Sequence, residues 1–408
     1  MKIIYLHQYF KTPQMNGGTR SFEWAKRLVK SGHEVHMITT QQHKNKKRFI
    51  QKIEGINVHY FFVPYDNTYS NFKRIIAFIK YIIFSSIYIL KINSDLIFAT
   101  STPLTIAIPA VLYKKIKKVP MVFEVRDLWP EIPIAIGALK SKIAIWVSKK
   151  LELMAYNNSE YIVALSPGMK DGIIKTGISS SKIITIPNSC DLDLFNVSKS
   201  YGEIFRKDNK WINGKKIVLY AGTLGYINDL SYLVYIAKEM LLINNQILFL
   251  IVGEGKEKQK IYDLASKEKV LNKNLYILNP LNKNEIPKLY SAATICASLF
   301  KPYKEMWNNS ANKFFDALAS GKPVMINYGG WQSEIIKENG IGVRLPNNNF
   351  LLSANILNDF LCDNEKLKKA SMQAINLAKI NYNRDLLYVR FEEVLNKALN
   401  LYNDKKNI

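Results

Sequence analysis

At 408 residues the chain is too long for one compact core, so two domains are expected. A hydrophobic content of 48% excludes wholesale disorder. Lys and Arg number 57 against 33 acids, a net charge of +24, which draws in phosphates, nucleic acid or acidic lipid unless the excess is only a solvated basic surface. Three cysteines, Cys190, Cys296 and Cys362, are far apart and odd in number, which predicts reduced, buried thiols rather than a disulfide framework or a zinc site. The opening "MKIIYLHQYF" enters a strand-like run without a signal-peptide layout. No apolar stretch reaches the roughly 18–20 residues that span a bilayer. The expected location is cytoplasmic.

Strand-like and helix-like segments alternate along the chain, the pattern of parallel sheets flanked by helices. "KIIYLHQ" (2–8) is a first strand ending in His7. A loop closing on Gly17-Gly18 and a helix near 19–31 follow. Free backbone N–H groups at that helix start suit an anion, although glycine after a strand is often a turn residue and nothing more. His7 faces the same end of the sheet, either to touch a ligand or as a satisfied core histidine. Strands follow at 33–40, 57–63, 95–101 and 120–125. The last ends in "VFEVRDLWPE", where a run apolar enough to lie inside a sheet closes on Arg126 and Asp127. Ligands bind beyond the carboxyl ends of such strands, so Arg126 and Asp127 are site candidates, with a structural ion pair as the alternative. Strands at 161–166 and 183–188 close the first half. "DLD" at Asp191–Asp193 fits a D-x-D pattern but lies away from any glycine turn or basic partner, and the five histidines have no ligand spacing. No metal is expected.

A second series runs through 216–222, 247–253, 275–280, 294–300 and 323–328. Gly222-Thr223 and Gly253 follow its first two strands, without a dinucleotide fingerprint or a P-loop. In "NNSANKFFDALASGKPV" Ser310 is the expected N-cap of a helix from about Ala311 to Ser320. Asn312 and Lys313 fall in its first turn, where an ammonium opposes the helix dipole unless an anion neutralises it. Asp316 lies on the same face. A diphosphate with a ribose hydroxyl on Asp316 would use all three; a solvated helix with an ordinary ion pair is the other reading. "GGWQSE" then offers Gly329, Gly330 and Glu334, and an amphipathic helix spans about 384–402. The architecture expected is α/β, two doubly wound Rossmann-like domains over 1–197 and 198–383 with a ligand cleft between them. The segment 384–408 is expected to pack back on the first.

"AGTLG", "VGEG", "NKFFDALASGKPV" and "GGWQSE", with "GGTRSFEWAKRLVKSGHEVHMIT" and "IPNSCDLDLF" before them, resemble family-4 glycosyltransferases of the GT-B fold over nearly the whole chain. "FEVRDLWPE" is most similar to a bacterial polysaccharide branch that includes N-acetyl-L-fucosaminyltransferases of O-antigen clusters. The resemblance implies transfer of a sugar from a UDP-sugar, with no catalytic metal, no cofactor and retention of anomeric configuration. It places Asp316 at the ribose, Lys313 and Asn312 at the nucleotide phosphates, Gly222 and Thr223 on the phosphate turn, and Gly253 and Glu334 at the donor pocket. Gly17, Gly18 and His7 fall on the acceptor side, and Arg126 and Asp127 replace the family's His-containing catalytic pair. This chain departs from the pattern in several places. A glutamate pair of the family is Asn308 and Asp316 here, and two cations near the glycine turn are replaced by Thr223 and a residue near Asn228.

"NFKRIIAFIKYIIFSSIYILKIN" (71–93) has Lys73, Arg74, Lys80 and Lys91, no acid, and a mostly apolar run from Ile75 to Leu90. That make-up fits a helix lying in a membrane interface, or else a buried helix of a large domain. "YKKIKK" (113–118) and "KNKKR" (44–48) add charge. The expected partners are a UDP-sugar donor, a polyprenyl-diphosphate-linked acceptor and the inner membrane surface. No nucleic-acid motif occurs, and nucleic acid is not expected. A UDP-sugar epimerase of the same architecture is the alternative activity.

Overall fold

A computed structural model describes residues 1–15, 17–41, 48–64, 69, 71–282 and 284–406. Most of the basic run 44–48 lies outside them. The chain divides into two compact units, Met1–Pro187 with Leu387–Ile408, and Asn188–Leu386.

In the first unit, strands β1 (Lys2–Leu6), β2 (Glu34–Gln41), β3 (Arg48–Ile53), β4 (Ile56–Phe62), β5 (Leu96–Thr100), β6 (Met121–Val125), β7 (Tyr161–Ala164) and β8 (Ile183–Thr185) form one sheet. Its order among the described residues is β3-β4-β2-β1-β5-β6-β7-β8. Every pairing is parallel except β3 with β4. Parallel strands bury both faces, which is why they read as unbroken apolar runs. Along β1, Ile4 and Leu6 enter one core while Ile3 and Tyr5 enter the other. On β6, Met121, Phe123 and Val125 take the first core and Val122 the second. The two-residue period therefore turns Glu124 inward beside Val122.

Glu124 is fully buried and needs a partner. Arg20, at the start of the helix Arg20–Lys30, supplies it: Nε and Nη2 each lie 2.9 Å from Oε1. Thr100 donates to the other carboxylate oxygen at 2.7 Å. Arg20 also donates to the carbonyls of Ile186 (2.9 Å) and Pro187 (2.6 Å), so this buried pair holds the last residues of the unit's first segment.

The helix Arg384–Lys406 buries Leu387, Phe391, Leu395 and Ala398 in the second core of this unit. Phe391 stacks on Trp24 at 5.4 Å and meets Phe98 edge-on at 5.0 Å.

In the second unit, β9 (Lys216–Ala221), β10 (Ile247–Val252), β11 (Leu275–Leu278), β12 (Ile295–Ser298), β13 (Val324–Ile326) and β14 (Gly342–Arg344) form an all-parallel sheet in the order β11-β10-β9-β12-β13-β14. Both units are doubly wound α/β folds, as expected. The sequence reading missed β3 and β14. β3 is an edge strand with mostly exposed side chains, joined to β4 by a tight turn in which Glu54 and Gly55 both have positive φ. β14 is three residues long. One thiol expectation needs correction: Cys190 and Cys296 are buried, but Cys362 is exposed at the end of the helix Phe350–Cys362.

Candidate functional site

Each unit gathers its candidate residues at the carboxyl ends of its strands. In the second unit, the loops after β9 and β10 run side by side. Gly222 N–H donates to the Val252 carbonyl at 2.9 Å, and Leu224 N–H to that of Glu254 at 2.8 Å. The approach is so close that a Cβ on Gly253 would fall 1.9 Å from the Gly222 oxygen, and both glycines have φ near +150° (149° and 153°). The turn is propped from below, where the Tyr220 hydroxyl donates to the Thr223 carbonyl at 2.7 Å. Asn228 donates to the same carbonyl at 2.8 Å.

Lys313 closes this turn from the helix Asn312–Ala319. A Cβ on Gly222 would stand 2.5 Å from Lys313 Cε, and the ammonium lies 5.0 Å from the centre of the Tyr220 ring. Burial pushes the Lys313 pKa down to about 8, and Asp316 on the same helix opposes that shift. Ser310 is not the cap of this helix. Ala311 holds the cap position without a side-chain bond. Ser310 instead accepts from the Asn188 backbone N–H at 3.0 Å, while the Asn188 side chain donates to the Ser310 carbonyl at 2.6 Å. Both bonds fix the segment just ahead of the helix, whose first N–H groups lack a side-chain cap.

Asn312 is exposed and Asp316 half-buried. Beneath them Cys190 donates to the Phe315 carbonyl at 3.2 Å, and burial followed by the nearby Asp316 charge holds the Cys190 thiol well above its usual range. The structure thus brings Gly222, Thr223, Gly253 and Lys313 together, with Asp316 on the same helix. Glu334 stands apart in the first turn of Trp331–Asn339, exposed and without a hydrogen bond to its carboxylate among the described residues. Its helix is fixed by Trp331, whose indole donates to the Asn309 carbonyl at 3.0 Å. Asp191 of the "DLD" triplet is taken by Arg384 at 2.7 Å and caps a short helix through the Leu194 N–H.

In the first unit, Arg126 and Asp127 point to different partners. Arg126 donates to His7 Nε2 at 3.3 Å, and its backbone N–H donates to Ser101 Oγ at 2.9 Å. Asp127 accepts from the Thr102 hydroxyl at 3.2 Å. Burial raises the Asp127 pKa above the ordinary carboxylate value, with Arg126 and Thr102 pulling it back. Burial, then the charges of Arg126 and Lys11, hold His7 well below its usual value, so it is neutral. The neutral ring accepts from Arg126 at Nε2 and carries its proton on Nδ1, which is buried without a partner among the described residues. Lys11 also reaches the loop before the helix Arg20–Lys30, where its Cγ lies 3.2 Å from where a Gly17 Cβ would be. Gly18 is exposed beside it. His7, Arg126 and Asp127, with Lys11 at Gly17, therefore form a polar group with a net positive field and one basic carboxylate.

Sequence reasoning missed Tyr220, Lys11, Ser101 and Thr102. Tyr220 lay inside an apolar run. Ser101 and Thr102 end β5 as Arg126 and Asp127 end β6, and the same strand-end rule applied to "TSTP" finds them. Thr102 has φ of 92°, a region that non-glycine residues seldom occupy, and its hydroxyl is the one that holds Asp127.

Two family models match the chain: Glycosyltransferase Family 4 over residues 17–194, and Glycosyl transferases group 1 over 202–377. An uncharacterized glycosyltransferase of Methanocaldococcus jannaschii is 26% identical over 200 residues, 47% of this chain and 49% of that protein. The chain thus spans about half the length of that curated relative. Among solved structures, HepE of Anabaena in complex with UDP and glucose superposes with a TM-score of 0.72 at 18% identity, over 97% of this chain and 100% of that one. WaaG, a glycosyltransferase involved in lipopolysaccharide biosynthesis, gives 0.72 at 14% identity, over 96% and 99%. At these identities the likeness is one of fold, and that fold is GT-B.

Proposed function

We propose, for a chain that joins a family 4 domain to a group 1 domain and so belongs among the two-domain glycosyltransferases, that it moves a sugar from a UDP-sugar to a lipid-linked saccharide. The observation that carries this reading is Lys313 seated against the Gly222 turn at an uncapped helix start. A half-buried ammonium beside free N–H groups is an incomplete arrangement, and a diphosphate supplies the missing negative charge. Asp316 takes the ribose hydroxyls, Thr223 and Gly253 line the phosphate turn, and Asn312 and Glu334 complete the donor side. The UDP named with HepE supports the choice of nucleotide.

In the first unit Asp127 accepts the proton of the acceptor hydroxyl. Its raised pKa makes it a better base than an exposed aspartate. Arg126, steadied by His7, orients an anionic group, and the Gly17-Gly18 loop receives the acceptor's phosphate. Charge builds on the departing UDP in the transition state, so the Lys313 region stabilises it electrostatically. The transfer retains anomeric configuration and uses no catalytic metal. The donor sugar is an N-acetylated hexosamine or deoxyhexosamine, and the product a cell-surface polysaccharide such as O-antigen. The acceptor is a polyprenyl-diphosphate-linked saccharide at the inner membrane face, reached through 71–93. WaaG's role in lipopolysaccharide synthesis supports that assignment.

The test is a panel of UDP-sugars, read first by thermal stabilisation and then by acceptor-dependent UDP release. Asp316→Ala weakens UDP binding by about tenfold or more, the loss of a hydrogen bond to a charged group. Asp127→Asn keeps UDP affinity and loses turnover. Full activity in Asp127→Asn, or unchanged UDP affinity in Asp316→Ala, overturns the respective role.

A further inference from the structure

Three helices of the first unit lie over one face of its sheet, Ala107–Lys117 packing against both Asn71–Ile89 and Lys142–Asn158. Their inward sides are ordinary core, with Ala77, Tyr81, Ala110, Tyr113, Ala155 and Tyr156 buried together. Their outward sides are not ordinary surface. Phe72 is 72% exposed on the first helix, Ile116 53% on the second, and Ile143 77% and Trp146 61% on the third. A large apolar area shared by neighbouring elements marks a docking surface, whereas single exposed apolar residues do not.

The charges around it have one sign. Lys73, Lys80, Lys115, Lys142, Lys149 and Lys150 are exposed on these helices. The only acid in the three segments is Glu152, which is buried. The Lys150 ammonium lies 5.9 Å from the centre of the Trp146 ring, so an indole and a cation are held side by side. That is the pairing suited to the boundary between headgroups and acyl chains. A second copy of this chain would set like charges against each other. A bilayer rich in anionic lipid satisfies both the apolar side chains and the lysines.

We infer that the outward sides of all three helices form a single face that rests on anionic lipid, with Ile143 and Trp146 as anchors distant in sequence from the segment 71–93. The inference rests on the membrane reading above and extends it. No helix among the described residues is long and apolar enough to cross a membrane. The helix Asn71–Ile89 also stays bound to its own core through Ala77 and Tyr81, so the contact is one of lying on the surface.

The experiment is co-sedimentation of the full chain with phosphatidylcholine vesicles and with an equal mixture of phosphatidylcholine and phosphatidylglycerol. The wild type partitions to the mixed vesicles, and its binding falls as salt rises. The variant Ile143→Ser/Trp146→Ser/Val147→Ser loses at least about tenfold in partitioning, and Lys73→Gln/Arg74→Gln/Lys80→Gln loses about a hundredfold or more. Each variant keeps its stabilisation by UDP, which shows that it has folded. If the serine variant binds as the wild type does while the glutamine variant fails, the three-helix face is overturned and the reading through 71–93 stands. If the wild type binds neither vesicle, both fall. Self-association of the wild type that the serine variant abolishes, without vesicle binding, assigns the face to a second copy and overturns the inference. Loss of the UDP effect with vesicle binding intact strikes the donor assignment alone.

Discussion

Lys313 is the residue whose titration speaks most directly to ligand binding. Its pKa of about 8 is depressed from the ordinary lysine value of 10.5, because burial disfavours the charged form. The sign follows: the protonated amine costs folding stability below pH 8, and an adjacent anion returns that energy by stabilising the ammonium. UDP phosphates stay ionised above about pH 7, so they add no slope there. UDP affinity should be level from pH 7 to near 8, then weaken by up to about tenfold per pH unit until the pKa of the bound state is passed. Isothermal titration across that range checks it. Lys313→Gln should bind UDP weakly and with no such slope, and an unchanged profile removes Lys313 from the phosphate site. This residue was legible in the sequence because a lysine in a helix's first turn contradicts the dipole. Tyr220 was not, since a tyrosine inside "KIVLYAG" reads as core whether or not its hydroxyl supports a loop. Ser310 was misread for a related reason: a serine before a helix is the usual cap, but its hydroxyl is engaged by Asn188, a contact across 122 positions that no local pattern encodes.

The loop pair after β9 and β10 behaves as one element, since Gly253's lack of a side chain makes room for the Gly222 loop, and Gly222's makes room for Lys313. Gly253→Ala places a methyl where the Gly222 carbonyl stands and asks alanine to hold a positive φ. The strain is about 1–3 kcal/mol if the loops stay in place; if they part, Gly222 leaves Lys313. The expected result is a lower melting temperature together with UDP affinity reduced about tenfold or more. A variant that melts lower but binds UDP normally would show that the interlock serves stability alone. Elements of this kind divide in how well a sequence shows them. Parallel strands were readable because burial on both faces leaves them uniformly apolar. β3 was not, because an edge strand with exposed Arg48, Ile50, Gln51 and Lys52 has neither alternation nor an apolar run. The helix Lys142–Asn158 drew no attention either, since apolar residues at helical spacing do not reveal which side faces out until the sheet is in place.

Across the whole molecule, the first unit is built from two stretches of chain separated by the entire second unit. Its second core depends on the last helix, where Phe391 is fully buried between Trp24 and Phe98. Phe391→Ala should cost about 3–5 kcal/mol, a Phe-to-Ala cavity. For a unit of this size that is a fall of roughly 10 °C in the transition belonging to the first unit. UDP should still stabilise the second transition by mass action. Calorimetry with and without UDP checks both, and a single transition that UDP no longer shifts would contradict the division of labour.

Order of synthesis turns that discontinuity into a timetable. The amino-terminal unit is the first to leave the ribosome and the last to be finished, because residues 387–408 are translated only after Asn188–Leu386. At roughly 5–20 residues per second, Trp24 and Phe98 wait about 15–75 s for Phe391. During that interval the nascent chain presents an unsealed aromatic groove, a natural client surface for chaperones that bind extended apolar sequence.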